Sequence, residues 1–375
     1  MPEQVKRSFS WSQVSAFRLR RHHFLDQGEA DLATVSQHVC GIQAQVLSAA
    51  EMALWARMHY LTQADIQSAL WESRRLVKTS CMRGTLHLIA ATDLPIYISA
   101  LRRSRSELLR RLTSKQGMTQ NEDDRALQAV TEALGAGPMT RRELAERVGS
   151  AEGEKVKTSI ERPWGVVRRA VIEGAVCYGP SRGQEATFVR TDQWLPEWSE
   201  VSEQEAKQVL LRRYFSAYGP ASLQDFSKWS GMSMKEVRPV RESLDDALVE
   251  VSIEGQNALT LREDCDQLVS RDISDQVLRL LPNFDPYLLG HVETSHLVDA
   301  KHYKRVYRKA GWISPVVLLN GRVIGTWSST RRGNRFYFEI EPFESLSKAL
   351  RTKVEEEAAS LGGFLGAPWE LKFSK

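Results

Sequence analysis

The sequence predicts a mainly helical α+β protein with small β-hairpins, made of tandem helix–helix–hairpin units and a C-terminal antiparallel β meander. An internal repeat is the first observation behind this. Gly137-Pro138-Met139-Thr140-Arg141-Arg142-Glu143-Leu144 runs on to Gly149, and Gly219-Pro220-Ala221-Ser222-Leu223-Gln224-Asp225-Phe226 runs on to Gly231. Both copies fit G-P-x-[ST]-x-x-[DE]-Φ with a glycine five residues after the Φ. Thr140 with Glu143, and Ser222 with Asp225, have capping-pair spacing: the hydroxyl accepts a helix N–H and the carboxylate reaches back. Gly149 and Gly231 are placed for the turn between two helices. The second observation is Asn320-Gly321, set between the apolar runs 315–319 and 322–327. Asn-Gly readily supplies the positive φ angles of a type I′ hairpin turn.

In chain order, Ser10 and Ser12 offer N-caps to a helix through Val14, Phe17 and Leu19. Leu32, Val35 and Val39 have helical spacing and stop at Gly41. Residues 86–89 read as a short apolar strand, followed by a helix start at Thr92-Asp93-Leu94. Residues 123–134 are helical and lead into the first repeat. After that repeat come a helix over 160–173, a strand at 175–178, a turn at 181–184 and a strand at 186–189. After the second come a helix over 234–246 and strands at 248–253 and 258–261 about a turn at 254–257. Helix, turn, helix and hairpin is the order of a winged helix, present here in two diverged copies. The N-terminal region could hold a third, more altered copy. A turn over 329–334, a strand at 336–340 and an amphipathic helix over 346–361 complete the chain. The expected division is 1–120, 121–200, 201–270 and 271–375: a helical or winged-helix region, two winged helices, and the meander with its helix.

Composition narrows the class. The chain has 375 residues, 26% charged and 42% hydrophobic, with net charge +4. This is an ordinary globular composition, mildly basic and compatible with nucleic acid. Cys40, Cys81, Cys177 and Cys265 lack CxxC spacing, which points away from zinc or a disulfide framework and toward a reducing cytoplasm. The polar start Met1-Pro2-Glu3-Gln4-Val5-Lys6-Arg7 has no signal-peptide core, and no apolar run approaches the roughly 18 residues of a membrane helix. There is no G-x-S-x-G, P-loop or H-E-x-x-H.

The most informative stretch is Gly41-Ile42-Gln43-Ala44-Gln45. Two glutamines flank one small residue inside an apolar run. Ser48 and Glu51 have capping-box spacing and place a helix start near Ser48, so Gln43 and Gln45 precede it. Residues two apart point about 200° apart on a helix but share a face on extended backbone. There, both amides could converge on one water or ligand atom; the alternative is that they cap neighbouring backbone groups.

Basic residues cluster at Arg102, Arg103, Arg105, Arg110 and Arg111; at Arg168 and Arg169; at Lys301, Lys304, Arg305, Arg308 and Lys309, interleaved with Tyr303 and Tyr307; and at Arg331, Arg332 and Arg335 on a hairpin tip. Each could be a solvated face, but together with helix-turn-helix repeats they indicate DNA. His87 sits in an apolar strand, where a core role is the plainer reading. Asp285 and His291, in the turn-rich run 281–291, could line a cleft, or Asp285 could close an Asx turn. His38, His59, His291, His296 and His302 show no ligand spacing.

The chain resembles the AlkZ/YcaQ family of winged-helix DNA glycosylases. The resemblance rests on Gln43-Ala44-Gln45, on Met82-Arg83-Gly84-Thr85-Leu86-His87-Leu88 with Asp93-Leu94, on 281–291, and on 320–327, in the family's order along nearly the whole chain. It implies three winged helices around a DNA channel and a catalytic Q-Φ-Q or Q-Φ-D element. Gln43 and Gln45 match Q-Φ-Q, the AlkZ-like form, whose members remove bulky alkylated purines and protect producers of DNA-alkylating natural products. The expectation is therefore a monomeric, cofactor-free, monofunctional glycosylase acting on N7-alkylated purines in double-stranded DNA. Gln43 and Gln45 would be catalytic. Arg83, Arg168, Arg169, Lys301, Lys304, Arg331, Arg332 and Arg335 would contact DNA, with His87, Asp285 and His291 near the cleft. A non-catalytic multi-winged-helix regulator and a nucleic-acid-independent scaffold are the competing readings.

Overall fold

The computed structural model describes residues 7–25, 27–28, 30–114, 117–195, 199–269 and 276–374. The chain is a mixed α/β protein that separates into two compact units. One comprises Met1–Ile66, Leu211–Trp229 and Ser233–Lys375; the other comprises Gln67–Leu210 and Ser230–Met232. Among the described residues no helix is long and apolar enough to cross a membrane.

The Gln67–Leu210 unit is built as its local signals direct. Thr119 and Thr140 each form a capping box, with Glu122 and Glu143, at the head of helices Gln120–Ala133 and Arg141–Glu152. The Thr140 N–H donates to Glu143 at 2.7 Å and the Glu143 N–H to Thr140 Oγ1 at 3.2 Å. The helix does not turn at Gly149, as the repeat predicts, but runs on to Glu152 and stops at Gly153, where φ is +90°. Gly149 instead permits close packing: a Cβ there would lie 2.6 Å from the Lys157 Cβ. The helix expected over 160–173 is two helices, Glu154–Glu161 and Val166–Ile172. Pro163 lies in the break, lacking an N–H and clashing with a preceding turn. Strands Val176–Arg182 and Glu185–Arg190 then pair antiparallel, as expected. Strand Leu76–Ser80, which the sequence reading missed, pairs with Leu86–Ala90 and meets Tyr178 through Lys78, joining the two hairpins in one sheet. Val130, Leu144, Ile160, Val167, Val171 and Phe188 form the buried core.

In the other unit, Ser10 caps helix Trp11–Arg21 in a capping box with Gln13, and Ser12 lies inside that helix. The second repeat caps and turns as read, but the helix after it stops at Glu242 and does not reach Asp246. Ser222 and Asp225 exchange hydrogen bonds at 2.8 and 3.1 Å, helix Leu223–Ser230 ends at Gly231 with φ +83°, and helix Met234–Glu242 follows. Strands Leu248–Ile253 and Gln256–Leu261 pair antiparallel, and Ser8–Phe9 adds to the former in parallel. Phe9, Phe17, Val251, Ile253 and Leu268 are buried between these elements.

The C-terminal meander is larger than expected. Val316–Leu319 and Arg322–Arg332 flank Asn320 and Gly321, whose φ angles are +49° and +84° as the type I′ turn requires. The next turn narrows to Gly333 and Asn334, because both strands extend almost to it. Leu278–Leu281 and Trp369–Phe373 complete a five-stranded sheet, the latter pairing parallel to Arg335–Pro342, and helix Lys348–Leu365 packs against the sheet's first strand.

Candidate active site

The approach to the glutamine pair is set by how helix Leu32–His38 ends. The Gly41 N–H donates to the Ser36 carbonyl at 2.7 Å and the Cys40 N–H to the Gln37 carbonyl at 3.0 Å, a Schellman arrangement. Cys40 and Gly41 both have positive φ, and the Tyr218 hydroxyl donates to the Val39 carbonyl at 3.0 Å. The chain leaves this turn extended through Ile42–Gln43 and bends at Gln45. Helix Leu47–Trp55 follows at once. Its N-cap is Val46, with no side-chain cap bond, so the Ser48–Glu51 capping box does not set the boundary. Ser48 is exposed within the first turn and Glu51 is buried.

Gln43 is buried and Ala44 fully so, whereas Gln45 is exposed. A buried amide keeps its conformation by hydrogen bonding.

A polar cluster begins just past the helix that follows the motif. The fully buried Arg57, two residues past helix Leu47–Trp55, makes a bidentate pair with the fully buried Asp285 at 2.7 Å in each arm. Arg57 also donates to the Ala53 carbonyl and lies over the Phe24 ring. Asp285 Oδ1 accepts the Tyr287 N–H at 3.0 Å, so it closes the Asx turn as well. His291 Nε2 donates to the Tyr218 carbonyl at 3.0 Å. Burial, then Arg18 and His296, push its pKa well below the ordinary value. Buried Arg18 donates to the Pro220 carbonyl and to His296 Nε2 at 2.8 Å, which must therefore be unprotonated. Burial and Arg18 push His296 down to about 2. Asp285 and His291 thus support the segment's geometry. No group of three or more His, Cys, Asp or Glu among the described residues could hold a metal ion.

A model of the family described as DNA glycosylase AlkZ-like matches residues 37–364. The chain belongs to that family. It is 32% identical, over 358 residues covering 93% of this chain and 95% of the relative, to an interstrand DNA cross-link repair glycosylase of Streptomyces sahachiroi. The solved structure of Streptomyces sahachiroi DNA glycosylase AlkZ matches with TM-score 0.84 and 30% identity, covering 97% of this chain and 99% of that one. This chain is accordingly a DNA glycosylase of DNA repair, and the regulator and scaffold readings give way.

The glycosylase's other unit gathers three arginines. Half-buried Arg168 donates to the Gly84 carbonyl, beside Arg83, and lies over the exposed Trp164 ring at 5.1 Å. Arg105, on helix Leu94–Ser114, feels both cations; desolvation first, then Arg168 and Arg83, bring its pKa down to about 10. Buried His87 has its Nδ1 3.0 Å from the Thr85 carbonyl, and burial with Arg83 lowers its pKa well below normal. That is the core role. The side chain of Arg111 lies outside the described residues.

Other expected contacts separate by their pairing. Arg169 is buried among Asp123, Asp124 and Glu173, at 2.6–2.8 Å, and its charge is neutralised internally. Lys301 pairs with Glu344 and Arg335 with Glu370, both at the surface. Arg331 and Arg332 are exposed on the hairpin and lie over Phe336 and Tyr337. The sequence reading missed Arg57 and Arg18, since nothing in their local runs marks a partner far along the chain.

Proposed function

We propose that this glycosylase hydrolyses the N-glycosidic bond of N7-alkylated purines, including bulky adducts, in double-stranded DNA, with Gln43 and Gln45 as its catalytic pair. The supporting observation is the glutamine pair itself, held just ahead of helix Leu47–Trp55 by a Schellman turn, one amide buried and the other exposed. An amide is neither acid nor base at neutral pH, so it orients rather than transfers protons. An N7-alkylated purine is already cationic and leaves as a neutral base. Departure therefore needs little acid catalysis and builds positive charge on the sugar. Amide oxygens aimed at that charge, with one positioned water, suffice. No lysine adjoins the motif, so water attacks and no covalent intermediate forms.

The relative's name adds interstrand cross-links to the substrate class. A site that need not flip the lesion into a closed pocket would tolerate a bulky adduct. We read the helix–helix–hairpin segments as winged helices within the four-part division 1–120, 121–200, 201–270 and 271–375, and the protein as a cytoplasmic monomer. Arg83, Arg168, Lys304, Arg331 and Arg332 form the DNA-contact set, with Lys301 and Arg335 secondary because each already pairs with a surface glutamate; Arg169 is dropped from it because three carboxylates already neutralise it.

The test is base release from DNA carrying N7-alkylguanine. Gln43→Ala and Gln45→Ala should each lower it by about 10²-fold or more, the scale for one positioned catalytic group, with DNA affinity little changed. Fully active alanine variants would make the glutamines structural. A borohydride-trapped protein–DNA adduct would replace water by an amine.

A further inference from the structure

The unit that holds the glutamine pair contains a cavity of about 560 Å³ against the meander, within the roughly 300–1,000 Å³ of small-ligand sites. Its walls include Lys304, Arg308, Trp312, Ser328, Ser329 and Met52. Two cations there are uncommitted: Lys304 and Arg308 are exposed and have no carboxylate partner among the described residues. The neighbouring Arg305, by contrast, is held by Glu341 at 3.3 Å and lies over Phe343.

Trp312 is the second unusual feature. It is 44% exposed, yet fixed. Its carbonyl accepts the Arg308 N–H at 2.8 Å and its N–H donates to the Lys309 carbonyl at 3.3 Å. Phe284 backs it edge-to-face, with ring centroids 4.9 Å apart. A rigid aromatic face beside two unneutralised cations, with serine hydroxyls in the same walls, matches one chemistry: a planar base carrying a phosphate.

We propose that this cavity is a nucleotide subsite that takes one unstacked nucleotide of the substrate DNA, its base on Trp312 and its phosphate on Lys304 and Arg308. The inference rests on the glycosylase reading for the identity of that DNA. A base within a duplex hides its face, so the occupant is out of the stack. Met52 ties the subsite to the catalytic segment. Helix rise from Leu47 to Met52, plus two extended residues back to Gln45, puts those Cα atoms no more than roughly 15 Å apart. The nucleotide held therefore lies within a few positions of the one that Gln45 addresses. Its capture would hold open a distorted site around a lesion.

The experiment uses the full chain and a single-stranded oligothymidylate, followed by tryptophan fluorescence and by anisotropy of a labelled strand. Wild-type emission should be quenched on binding. Trp312→Leu should lose that quench and bind about ten-fold or more weakly, and Trp312→Phe should recover most of the affinity. Lys304→Ala combined with Arg308→Ala should lower the salt slope by about 0.7 for each phosphate no longer neutralised. Base release from N7-methylguanine duplex is measured in parallel. If wild type releases base while all variants bind the single strand as wild type does, the subsite is wrong and the glycosylase reading stands. If no base is released but Trp312→Leu loses binding, the subsite stands and the substrate reading fails. Inorganic phosphate competing as well as the oligonucleotide would reduce the cavity to an anion site and overturn the stacked base.

Discussion

Arg57 and Asp285, 228 residues apart in sequence, form a bidentate ion pair with neither side chain exposed. The pair joins the end of the helix that follows Gln43-Ala44-Gln45 to the turn holding Tyr287 and His291. Removing one partner leaves a buried charge uncompensated, at a cost of about 3–5 kcal/mol. Asp285→Ala should therefore lower the urea midpoint severely. The double variant Arg57→Met, Asp285→Leu should recover most of the loss, short of about 1 kcal/mol for the missing cap to the Tyr287 N–H. A midpoint unchanged in Asp285→Ala would mean that water reaches the pair and screens it.

Acid should weaken the same unit. His22, His291 and His296 are all shifted downward, by burial first and by Arg57 or Arg18 next. A depressed folded-state pKa means that the unfolded chain binds more protons below about pH 6.5. Stability is thus fully present above that pH and falls as pH drops through it, by about 1 kcal/mol per unit for each histidine kept neutral. Urea titrations between about pH 7.5 and 5.5, spanning the unfolded-state value, should show the slope. His296→Asn, which retains an acceptor for Arg18, should reduce it by about one proton. A stability flat over that range would place these rings in contact with water.

The hairpin tip should contact phosphate unequally. Arg331 and Arg332 have no carboxylate partner among the described residues, whereas Arg335 is paired with Glu370. Alanine at 331 or 332 should lower the salt slope of duplex binding by about 0.9, and alanine at 335 by less than half of that. Lys348→Ala, on an exposed helix start, is the control. Equal effects at 331, 335 and 348 would remove the tip from the interface.

What was legible in the sequence was local. The Thr140–Glu143 and Ser222–Asp225 pairs lie three residues apart and form as spaced. Asn320-Gly321 encodes its own backbone angles. The pieces that escaped are mostly long-range: strand Trp369–Phe373 beside Arg335–Pro342, the Lys78–Tyr178 pairing of strand Leu76–Ser80, and Arg57 with Asp285. Nothing near Arg57 announces a carboxylate from another segment. The turn ahead of the glutamines was half legible: Gly41 marks the helix stop, but Cys40 occupies the left-handed position where glycine is usual. Gly149 misled for the converse reason: its missing side chain serves packing against Lys157, not a turn.

The two glutamines should differ in what they tolerate, because their surroundings differ. A carboxylate at exposed position 45 can stay ionised, stabilise positive charge on the sugar and accept a proton from the attacking water. At buried position 43 desolvation opposes ionisation, so aspartate there either protonates or destabilises the fold. Gln45→Asp should keep measurable release of N7-methylguanine from DNA, with a rate that rises with pH through the carboxylate range. Gln43→Asp should lose about 10²-fold or more and unfold at lower urea. Single-turnover base release at several pH values decides it. Equal activity of the two aspartate variants would mean that the burial difference does not shape the chemistry. A dead Gln45→Asp beside an active Gln43→Asp would move the water-positioning role to the opposite residue.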